Sequence, residues 1–250
     1  MTNSTTVVLG STGGIGLACL QHLAGIGRAV VAVGRDINRL KETTARLRAA
    51  GYQAGEFELD LAGEADGREL VDYCTLTFGR IDAVINSAAI YEPSPATRLD
   101  SVSWERTMTT NLRGPLVVTS AIADHMVSQG GGRIVHITSI TANVSRGGYT
   151  YYEASKAGLI AATRSMAVEL ASQGVIVNSV APGWVRTPMT EQILAESPPD
   201  QIAELIPLGR VGEPEEIAAV AVWLATDSPD FLTAQTIVVD GGQSSHTSHL

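Results

Sequence analysis

Cysteine is nearly absent from this sequence of 250 residues, which contains only Cys19 and Cys74. Neither belongs to a Cys-x-x-Cys pair or to another spacing typical of metal ligands, so we expect no disulfide framework and no metal site. Two isolated thiols are instead typical of the core of a protein from a reducing compartment.

Long runs of one residue class are missing as well. There is no basic run and the formal net charge is −9, which argues against nucleic acid or an anionic membrane as a main partner. The longest apolar stretch, residues 217–225, is far shorter than the roughly 20 residues that span a membrane. The N-terminus lacks the charged and apolar segments of a signal peptide, so we expect a cytoplasmic protein.

Lysine is also scarce, and this gives one motif unusual weight. The only lysines are Lys41 and Lys156, and Lys156 follows Tyr152 by four positions. With six tyrosines in the chain, about 0.05 such pairs are expected by chance. On a helix of about 3.6 residues per turn the two side chains share a face. The ammonium would then favour the phenolate and lower the tyrosine pKa; the alternative is a surface pair in which the lysine stem covers the ring.

A serine completes a candidate proton-transfer set. Ser139 follows an apolar run at 133–138 and precedes Tyr152 by thirteen positions. Its hydroxyl can donate to an oxygen that the tyrosine also contacts. The Ser…Tyr-x-x-x-Lys arrangement therefore indicates acid–base chemistry at a carbonyl or an alcohol, with Tyr152 as the general acid/base.

Short β-branched runs alternate with longer amphipathic segments throughout the chain. This alternation predicts an α/β fold: a doubly wound, Rossmann-type parallel sheet of seven strands with helices on both faces. No linker divides the chain, so residues 1–250 are predicted to form a single dinucleotide-binding and catalytic domain. The predicted strands are 5–9, 29–33, 53–59, 81–85, 133–138, 175–180 and 235–239, and the predicted helices are 14–25, 36–50, 63–78, 101–128, 151–172 and 213–225.

One long segment has no regular pattern. Residues 187–212 contain four prolines, Pro188, Pro198, Pro199 and Pro207. Because so long an irregular connection within a compact domain is usually functional, we expect it to form a lid over the substrate.

A glycine-rich turn joins the first predicted strand to the first predicted helix. Gly10, Gly14 and Gly16 have the spacing G-x-x-x-G-x-G. Glycine lets the backbone approach a pyrophosphate closely, and the helix N-terminus that follows offers free N–H groups and a positive dipole end. Together they predict a dinucleotide phosphate site, with a plain tight turn as the alternative.

The end of the second strand bears on the choice of cofactor. An acidic residue here would bind the ribose 2′-hydroxyl of NAD, but this position holds Gly34, followed by Arg35. An arginine can pair with a 2′-phosphate, so we expect NADP(H) to be favoured over NAD(H). Asp36 keeps NAD(H) open, because a shift of one residue would restore an acid; Arg35 and Asp36 could also simply begin the next helix.

These motifs, with others in the same order, resemble the short-chain dehydrogenase/reductase family from end to end. The order of the whole series is far more specific than any one of its parts. The matching residues are Gly10, Gly14 and Gly16, Asp60-Leu61, Asn86-Ser87-Ala88-Ala89, Asn111-Leu112-Arg113-Gly114, Ser139, Tyr152 with Lys156, Pro182-Gly183 with Thr187, Pro207-Leu208-Gly209-Arg210 and Val239-Asp240-Gly241-Gly242. The chain departs from the family pattern at Leu9, Ser87, Ala89 and Ala234, where threonine, asparagine, glycine and glycine are common.

The resemblance implies the roles of the site residues. Tyr152 exchanges a proton with the substrate oxygen, Ser139 orients the carbonyl, and Lys156 holds the nicotinamide ribose and lowers the tyrosine pKa. Asn111 is implied to support a water that links the lysine to solvent. The implied cofactor-binding residues are Gly10, Ser11, Thr12, Gly14, Ile15, Gly16, Arg35, Asp60, Leu61, Asn86, Ala88, Lys156, Pro182, Gly183, Val185 and Thr187.

The resemblance also implies an oxidoreductase of the carbonyl reductase kind, which transfers a hydride between NADP(H) and a ketone or secondary alcohol. The apolar content of the lid predicts a small-molecule substrate of moderate hydrophobic bulk, in a pocket with Tyr149, Trp184 and Met189. Three other functions stay open: an NAD(H)-dependent alcohol dehydrogenase, a lyase or isomerase without net redox chemistry, and a cofactor-sensing module.

The helix that carries Tyr152 presents a row of small residues, Ala154, Ala157, Ala161 and Ala162. Small side chains allow two helices to approach closely, and the resemblance implies a homodimer or homotetramer built partly on this helix. Packing within one chain is the alternative.

Overall fold

The computed structural model describes residues 4–63 and 66–245. Its strands are β1 (Thr5–Leu9), β2 (Ala29–Gly34), β3 (Ala54–Glu58), β4 (Ala83–Asn86), β5 (Gly132–Ile137), β6 (Val175–Pro182) and β7 (Thr236–Val239). Its α-helices are α1 (Gly14–Gly25), α2 (Ile37–Ala49), α3 (Arg68–Phe78), α4 (Ser101–Met108), α5 (Gly114–Ser128), α6 (Thr150–Leu170), α7 (Glu191–Glu196), α8 (Pro199–Leu205) and α9 (Pro214–Thr226). None of the helices in these described ranges is both long and apolar enough to cross a membrane.

The seven strands form one parallel sheet in the order β3-β2-β1-β4-β5-β6-β7, which confirms the predicted fold class. The chain builds the sheet outward from β1 in one direction and then, from β4, in the other. Ligands of such sheets bind beyond the carboxyl ends of the strands at this reversal. Here the reversal places the ends of β1 and β4 side by side, with Leu9 paired to Asn86.

Helices cover both faces of the sheet, because both faces of the strands are apolar. On one face Val8 belongs to a buried cluster with residues of α1 and α9, including Leu20. On the other face Val7 belongs to a buried cluster with residues of α3 and α5, including Ile122. Successive residues of β1 thus point to opposite layers, as the period of a strand requires. The two layers hold the strand ends in fixed positions.

The structure departs from the single helix predicted at 101–128. The helices α4 and α5 flank a π-helical turn at Thr109–Arg113. Within this turn the Asn111 side chain holds the Ile90 backbone: its Oδ1 accepts from the Ile90 N–H at 2.7 Å and its Nδ2 donates to the Ile90 carbonyl at 2.9 Å. Such π turns inside helices are frequent at functional sites, and this one brings a buried amide to the edge of the site.

The segment 187–212, predicted to be irregular, is in part helical, since it contains the short helices α7 and α8. A β-bridge between Val185 and Gly212 ties the two ends of the segment together. The third helix also differs from its prediction, because α3 begins at Arg68 instead of residue 63. Residues 64–65 of that predicted helix lie outside the described residues, as do residues 1–3 and 246–250 of the predicted domain.

Candidate active site

A first cavity, of about 350 Å³, opens beyond the carboxyl ends of the strands. It draws together residues from the glycine-rich turn after β1, from the ends of β2 to β6 and from α6. The predicted site residues in its wall are Gly10, Thr12, Gly14, Ile15, Arg35, Asp60, Leu61, Ala88, Ser139, Tyr152, Lys156, Pro182, Gly183, Val185, Thr187 and Met189. Residues that are far apart in the sequence therefore share one crevice.

The glycine-rich turn forms one wall of this cavity, and two glycines determine its shape. Gly10 has a φ of 76°, which a side chain would disfavour, and a Cβ there would lie 2.7 Å from the Ala88 backbone. A Cβ on Gly16 would lie 2.2 Å from the Gly10 carbonyl oxygen, so only glycine lets α1 pack on the turn. Gly13 caps α1 without a side chain, and it lines the cavity. The first N–H groups and the positive dipole end of α1 can therefore bind an anion.

The end of β2 presents positive charge to the same cavity. Arg35 is exposed and lines the cavity. The Asp36 carboxylate instead caps α2, where it accepts from the backbone N–H groups of Asn38 and Arg39 at 3.1 Å each. The Arg39 guanidinium, which the sequence analysis did not single out, donates to the Thr12 carbonyl at 2.8 Å. The Arg35 side chain therefore offers positive charge to an anionic group in the cavity, while the Asp36 carboxylate is held by hydrogen bonds at the α2 N-terminus.

Three predicted cofactor-binding residues lie beneath the wall instead of in it. Ser11 is buried, and both its N–H and its hydroxyl donate to the Val33 carbonyl, at 3.2 and 3.3 Å. Asn86 is buried as well, with its Nδ2 3.3 Å from His136 Nδ1. Gly16 is the third, and because it has no side chain the glycine-rich turn can pack against α1. All three residues support the backbone that lines the cavity.

His136 of β5 is a buried neutral base under this wall. Burial, reinforced by the charge of Lys156, lowers the pKa of His136 to about 3. Its Nδ1 faces the Asn86 amide, whereas its Nε2 has no hydrogen-bond partner within the described part of the chain. A histidine in this state supports Asn86 by accepting a hydrogen bond from its amide, and it does not exchange protons at neutral pH.

The predicted catalytic residues come together where β5 ends and α6 begins. Tyr152 and Lys156 lie near the start of α6, with the Lys156 Nζ 5.6 Å from the centroid of the Tyr152 ring. Ser139 precedes the 3₁₀ turn Ile140–Ala142, and its Oγ accepts from the N–H and the hydroxyl of Thr141 at 3.2 and 2.9 Å. Because both acceptor positions of the oxygen are filled, the Ser139 hydroxyl acts as a donor, and in this structure its partner is the Tyr152 side chain.

The protonation of this set differs from the expectation that Lys156 lowers the tyrosine pKa. Desolvation raises the pKa of Tyr152 to about 12, and its hydrogen bond with Ser139 offsets only part of the rise. Desolvation also lowers the pKa of Lys156 to about 8. The Lys156 Nζ donates to the Ile137 carbonyl at 2.8 Å, so the ammonium is directed at the backbone while burial penalises the phenolate. At neutral pH Tyr152 is thus protonated and Lys156 is charged.

Asn111 stands behind these residues and is fully buried. Its Nδ2 donates to the Ser155 hydroxyl at 3.1 Å, and Ser155 donates in turn to the Tyr152 carbonyl at 2.7 Å. The π turn therefore connects the Ile90 backbone to the first turn of α6. The water that the family resemblance implies at this place stays a prediction.

A second cavity, of about 490 Å³, adjoins the first. Ser139, Tyr152, Gly183, Met189 and Thr190 line both, so the serine and the tyrosine stand at the junction of the two cavities. The rest of the second wall is largely apolar and comes from the turn after β5 and from the segment 187–212. Its aliphatic residues are Ile140, Val144, Ile193, Ile202, Leu205 and Ile206.

Aromatic rings form another side of the second cavity. Trp184, one of the predicted pocket residues, lines it, whereas Tyr149 stands behind Tyr91. The Tyr149 and Tyr91 rings stack at 4.1 Å with 9° between their planes, and Tyr91 meets the Tyr152 ring edge-on at 4.8 Å. Tyr91 was not predicted from the sequence, although its position just beyond β4 was a usable signal. Arg146 and Thr190 were not predicted either, because no pattern in the sequence marks them.

Neither metal nor thiol chemistry is evident among the residues that the structure describes. No group of three or more His, Cys, Asp or Glu side chains there is arranged to hold a metal ion. Cys19 and Cys74 are buried free thiols, and burial raises the pKa of each to about 12. Such thiols are unreactive, because the thiolate is the reactive form.

The site thus combines a crevice at the α1 N-terminus with an adjoining, largely apolar cavity and places a protonated phenol between them. Comparison with known proteins agrees with this arrangement. The protein-family model described as "Enoyl-(Acyl carrier protein) reductase" matches residues 10–244. Among curated proteins, the 3-oxoacyl-[acyl-carrier-protein] reductase FabG of Thermotoga maritima is 34% identical over 236 residues, which cover 94% of this chain and 96% of that protein. The (3R)-3-hydroxyacyl-CoA dehydrogenase of Homo sapiens is 34% identical over an alignment of 249 residues, which covers 96% of this chain and 95% of that protein.

Solved structures show the same likeness in three dimensions. A short-chain type dehydrogenase/reductase from Mycobacterium ulcerans is 33% identical with a TM-score of 0.92, over 98% of this chain and 90% of that one. A gluconate 5-dehydrogenase from Burkholderia cenocepacia J2315, in complex with NADP and tartrate, is 30% identical with a TM-score of 0.93, over 99% of this chain and 97% of that one.

Proposed function

The chain belongs to the short-chain dehydrogenase/reductase family, and we propose that it transfers a hydride between NADP(H) and a ketone or secondary alcohol of moderate hydrophobic bulk. Its relatives are oxidoreductases that act on CH–OH and C=O groups. The observation that carries the proposal is the junction of the two cavities at Ser139 and Tyr152. A carbonyl placed there would meet both hydroxyls and would be within reach of a ligand in the first cavity.

The first cavity fits a dinucleotide, which when bound supplies the hydride. The glycine-rich turn and the α1 N-terminus would bind its pyrophosphate. Asp60 and Ala88 would contact the adenosine end, and Val185 and Thr187 the nicotinamide end. Lys156 has donors beyond the one directed at Ile137, and these would hold the nicotinamide ribose.

Proton transfer is assigned to Tyr152. Because burial keeps its pKa near 12, the phenol is protonated at neutral pH and ready to donate to the oxygen of a ketone under reduction. The Ser139 hydroxyl, which here bonds Tyr152, would donate to the same ligand oxygen and hold the carbonyl in place. Burial outweighs any stabilisation of the phenolate by the Lys156 ammonium, 5.6 Å from the ring, so the tyrosine would take up a proton from solvent after the transfer.

A preference for NADP(H) over NAD(H) is part of the proposal. Arg35 provides positive charge where a 2′-phosphate would lie. The Arg39 guanidinium of α2 lies nearby, hydrogen-bonded to Thr12 of the glycine-rich turn. Asp36, the residue that kept NAD(H) open in the sequence analysis, is held by the α2 N-terminus. The gluconate 5-dehydrogenase of similar structure was solved with NADP, which supports the same preference.

The segment 187–212 is proposed as the lid of the substrate cavity. It contributes Ile193, Ile202 and Leu205 to the second wall, and the bridge between Val185 and Gly212 holds its ends together. Two connected ends would let the segment move as one unit over the junction. The names of the relatives make a 3-oxoacyl thioester the first class of ketone to examine for this cavity.

We also propose a cytoplasmic homodimer or homotetramer that includes the outer face of α6. Ala157 and Ala161 of the small-residue row are exposed on this face, and Val168 is 79% exposed further along the helix. An exposed apolar strip of this kind suits a second copy of the chain. Sedimentation that finds only monomer at micromolar concentration would contradict this assembly.

The test of the function is the rate of reduced-nicotinamide consumption, measured with NADPH and NADH in parallel. The substrates are aliphatic and cyclic ketones together with a 3-oxoacyl thioester. We expect turnover with a lower KM for NADPH. Preference for NADH would keep the enzyme and overturn the cofactor assignment, whereas product formed without nicotinamide oxidation would indicate a lyase or isomerase. Saturable NADPH binding without turnover of any substrate would favour a cofactor-sensing module.

A further inference from the structure

The second cavity has an unusual charge distribution. Arg146 is the single charged residue among the described residues that line it, and all the others are apolar or neutral polar. The protein as a whole carries a net charge of −9, so acidic partners are plentiful elsewhere on its surface. A lone cation in the cavity that contains Tyr152 therefore points to a ligand of opposite charge.

Aromatic rings hold the Arg146 guanidinium in place. Its central carbon lies 4.3 Å from the centroid of the Trp184 ring and 5.6 Å from that of Tyr149. One Nη donates to the Tyr91 hydroxyl at 3.3 Å. Contact with ring faces orients the planar group without neutralising it, and its other N–H donors stay available.

No carboxylate neutralises this arginine within the described residues. None of the ion pairs among them includes Arg146. The carboxylate of Glu153 is near, but it accepts from the Arg146 backbone N–H at 3.0 Å and from the Ser145 hydroxyl at 2.8 Å. Glu153 thus fixes the loop that carries the arginine and leaves the guanidinium to the cavity.

We propose that the substrate is a ketone, or the corresponding alcohol, that carries a carboxylate or phosphate group, and that Arg146 binds this anion. The fork of N–H donors on a guanidinium matches the oxygens of either group. The aliphatic side chains of the second wall, such as Ile193 and Leu205, would contact the carbon chain between the anion and the carbonyl. This inference rests on the proposed function, because it names the substrate class of the same site.

The test compares charged and neutral ketones in the wild type and in Arg146→Met, with NADPH as the reductant. Levulinate is paired with its methyl ester for the carboxylate, and acetoacetyl-coenzyme A with acetoacetyl-N-acetylcysteamine for the phosphate. We expect Arg146→Met to lower kcat/KM about 10- to 100-fold for the anionic member of at least one pair and to leave its neutral partner unchanged. The pair that responds identifies the anion.

Two further variants separate binding of the anion from effects on the fold. Arg146→Lys keeps the charge and should restore part of the lost kcat/KM. Arg46→Met makes the same change at an exposed position of α2 that lines neither cavity, and its kinetics should equal those of the wild type. Equal losses for charged and neutral ketones in Arg146→Met, or no loss for either, would overturn the proposal.

A binding measurement distinguishes failure of this inference from failure of the proposed function. Calorimetry with valerate, butyl phosphate and the neutral pentanamide requires no turnover. Anion binding that is lost in Arg146→Met, in a protein that reduces none of the ketones, would keep the anion site and reject the reductase. Turnover with the same effect of Arg146→Met on charged and neutral ketones would keep the reductase and reject the anion site.

Discussion

The two cavities that meet at Ser139 and Tyr152 are built in different ways. The first is lined by the glycine-rich turn and by residues at the strand ends, and its shape depends on contacts such as that between Gly16 and the Gly10 carbonyl. The second is bounded by side chains from the turn after β5 and from the segment 187–212. Parallel strands fix the first cavity, whereas the second changes with every side chain that lines it.

Because of this difference, we expect the first cavity to recognise the cofactor and the second to recognise the substrate. Backbone N–H groups bind the same phosphates whatever the sequence around them, so the first cavity suits a ligand shared by many enzymes. Side chains such as Ile193 and Arg146 give the second cavity the chemistry of one substrate class. Changes to the first should therefore affect the cofactor with every ketone, and changes to the second should affect the ketone alone.

The largest effect is expected at the junction itself. Tyr152→Phe keeps the ring that packs on Tyr91 but removes the proton donor, so kcat should fall on the order of 1,000-fold while NADPH affinity is retained. Steady-state rates and a fluorescence titration with NADPH measure the two quantities. Tyr52→Phe, at an exposed turn before β3, is the matched control. A Tyr152→Phe enzyme with a near wild-type rate would refute the assigned role.

A change confined to the first cavity should come next in size. In Gly16→Ala the new methyl group meets the Gly10 carbonyl oxygen, so the glycine-rich turn must move and NADPH affinity should fall about 10- to 100-fold. The loss should be found whichever ketone is the substrate, and the fluorescence titration with NADPH measures it. Gly25→Ala, at the end of the same helix, places its methyl group in open space and should leave affinity unchanged. Equal affinities in both variants would contradict the packing argument.

The buried support of the first cavity predicts a pH dependence of stability. The pKa of His136 is about 3 in the folded protein, below its ordinary value of about 6.5, so between these values only the unfolded chain binds the proton. The contribution of this residue is complete above pH 6.5 and is lost as the pH falls, by up to about 1.4 kcal/mol per pH unit. His136→Asn should flatten urea-unfolding free energies over that window; an unchanged slope would refute the assignment.

The smallest effect is expected outside both cavities, at Ala234. It has a φ of 62°, the one positive φ of a non-glycine residue within the described ranges, and its N–H donates to the Val177 carbonyl at 2.8 Å. Relief of this strain in Ala234→Gly should raise the free energy of unfolding by about 0.5–1 kcal/mol. Cofactor affinity and rates should not change. A lower stability in urea would show that the backbone is not strained there.

The sequence was most informative where local chemistry decides the structure. The alternation of strands and helices, the glycine spacing and the pair Tyr152–Lys156 are local patterns, and the sheet then brings their residues together. Burial is a property of the whole fold, so the high pKa of Tyr152 could not be read from the lysine four positions away. Arg146 and Tyr91 likewise gain their place in the site from rings far along the chain, Trp184 for Arg146 and Tyr152 for Tyr91.

The π turn at Thr109–Arg113 restricts how chains of this kind can vary in length. A π turn holds about one residue more than an α-helical turn, so deletion of one residue within it would yield a regular helix while α4 and α5 keep nearly the same faces. The wide turn that carries Asn111 would be lost, and with it the two hydrogen bonds between the Asn111 amide and the Ile90 backbone. We therefore expect insertions and deletions among homologous chains to occur in surface connections and to spare these five positions. A more regular helix at this point would take from the candidate active site the support that Asn111 gives to Ser155 and, through it, to Tyr152.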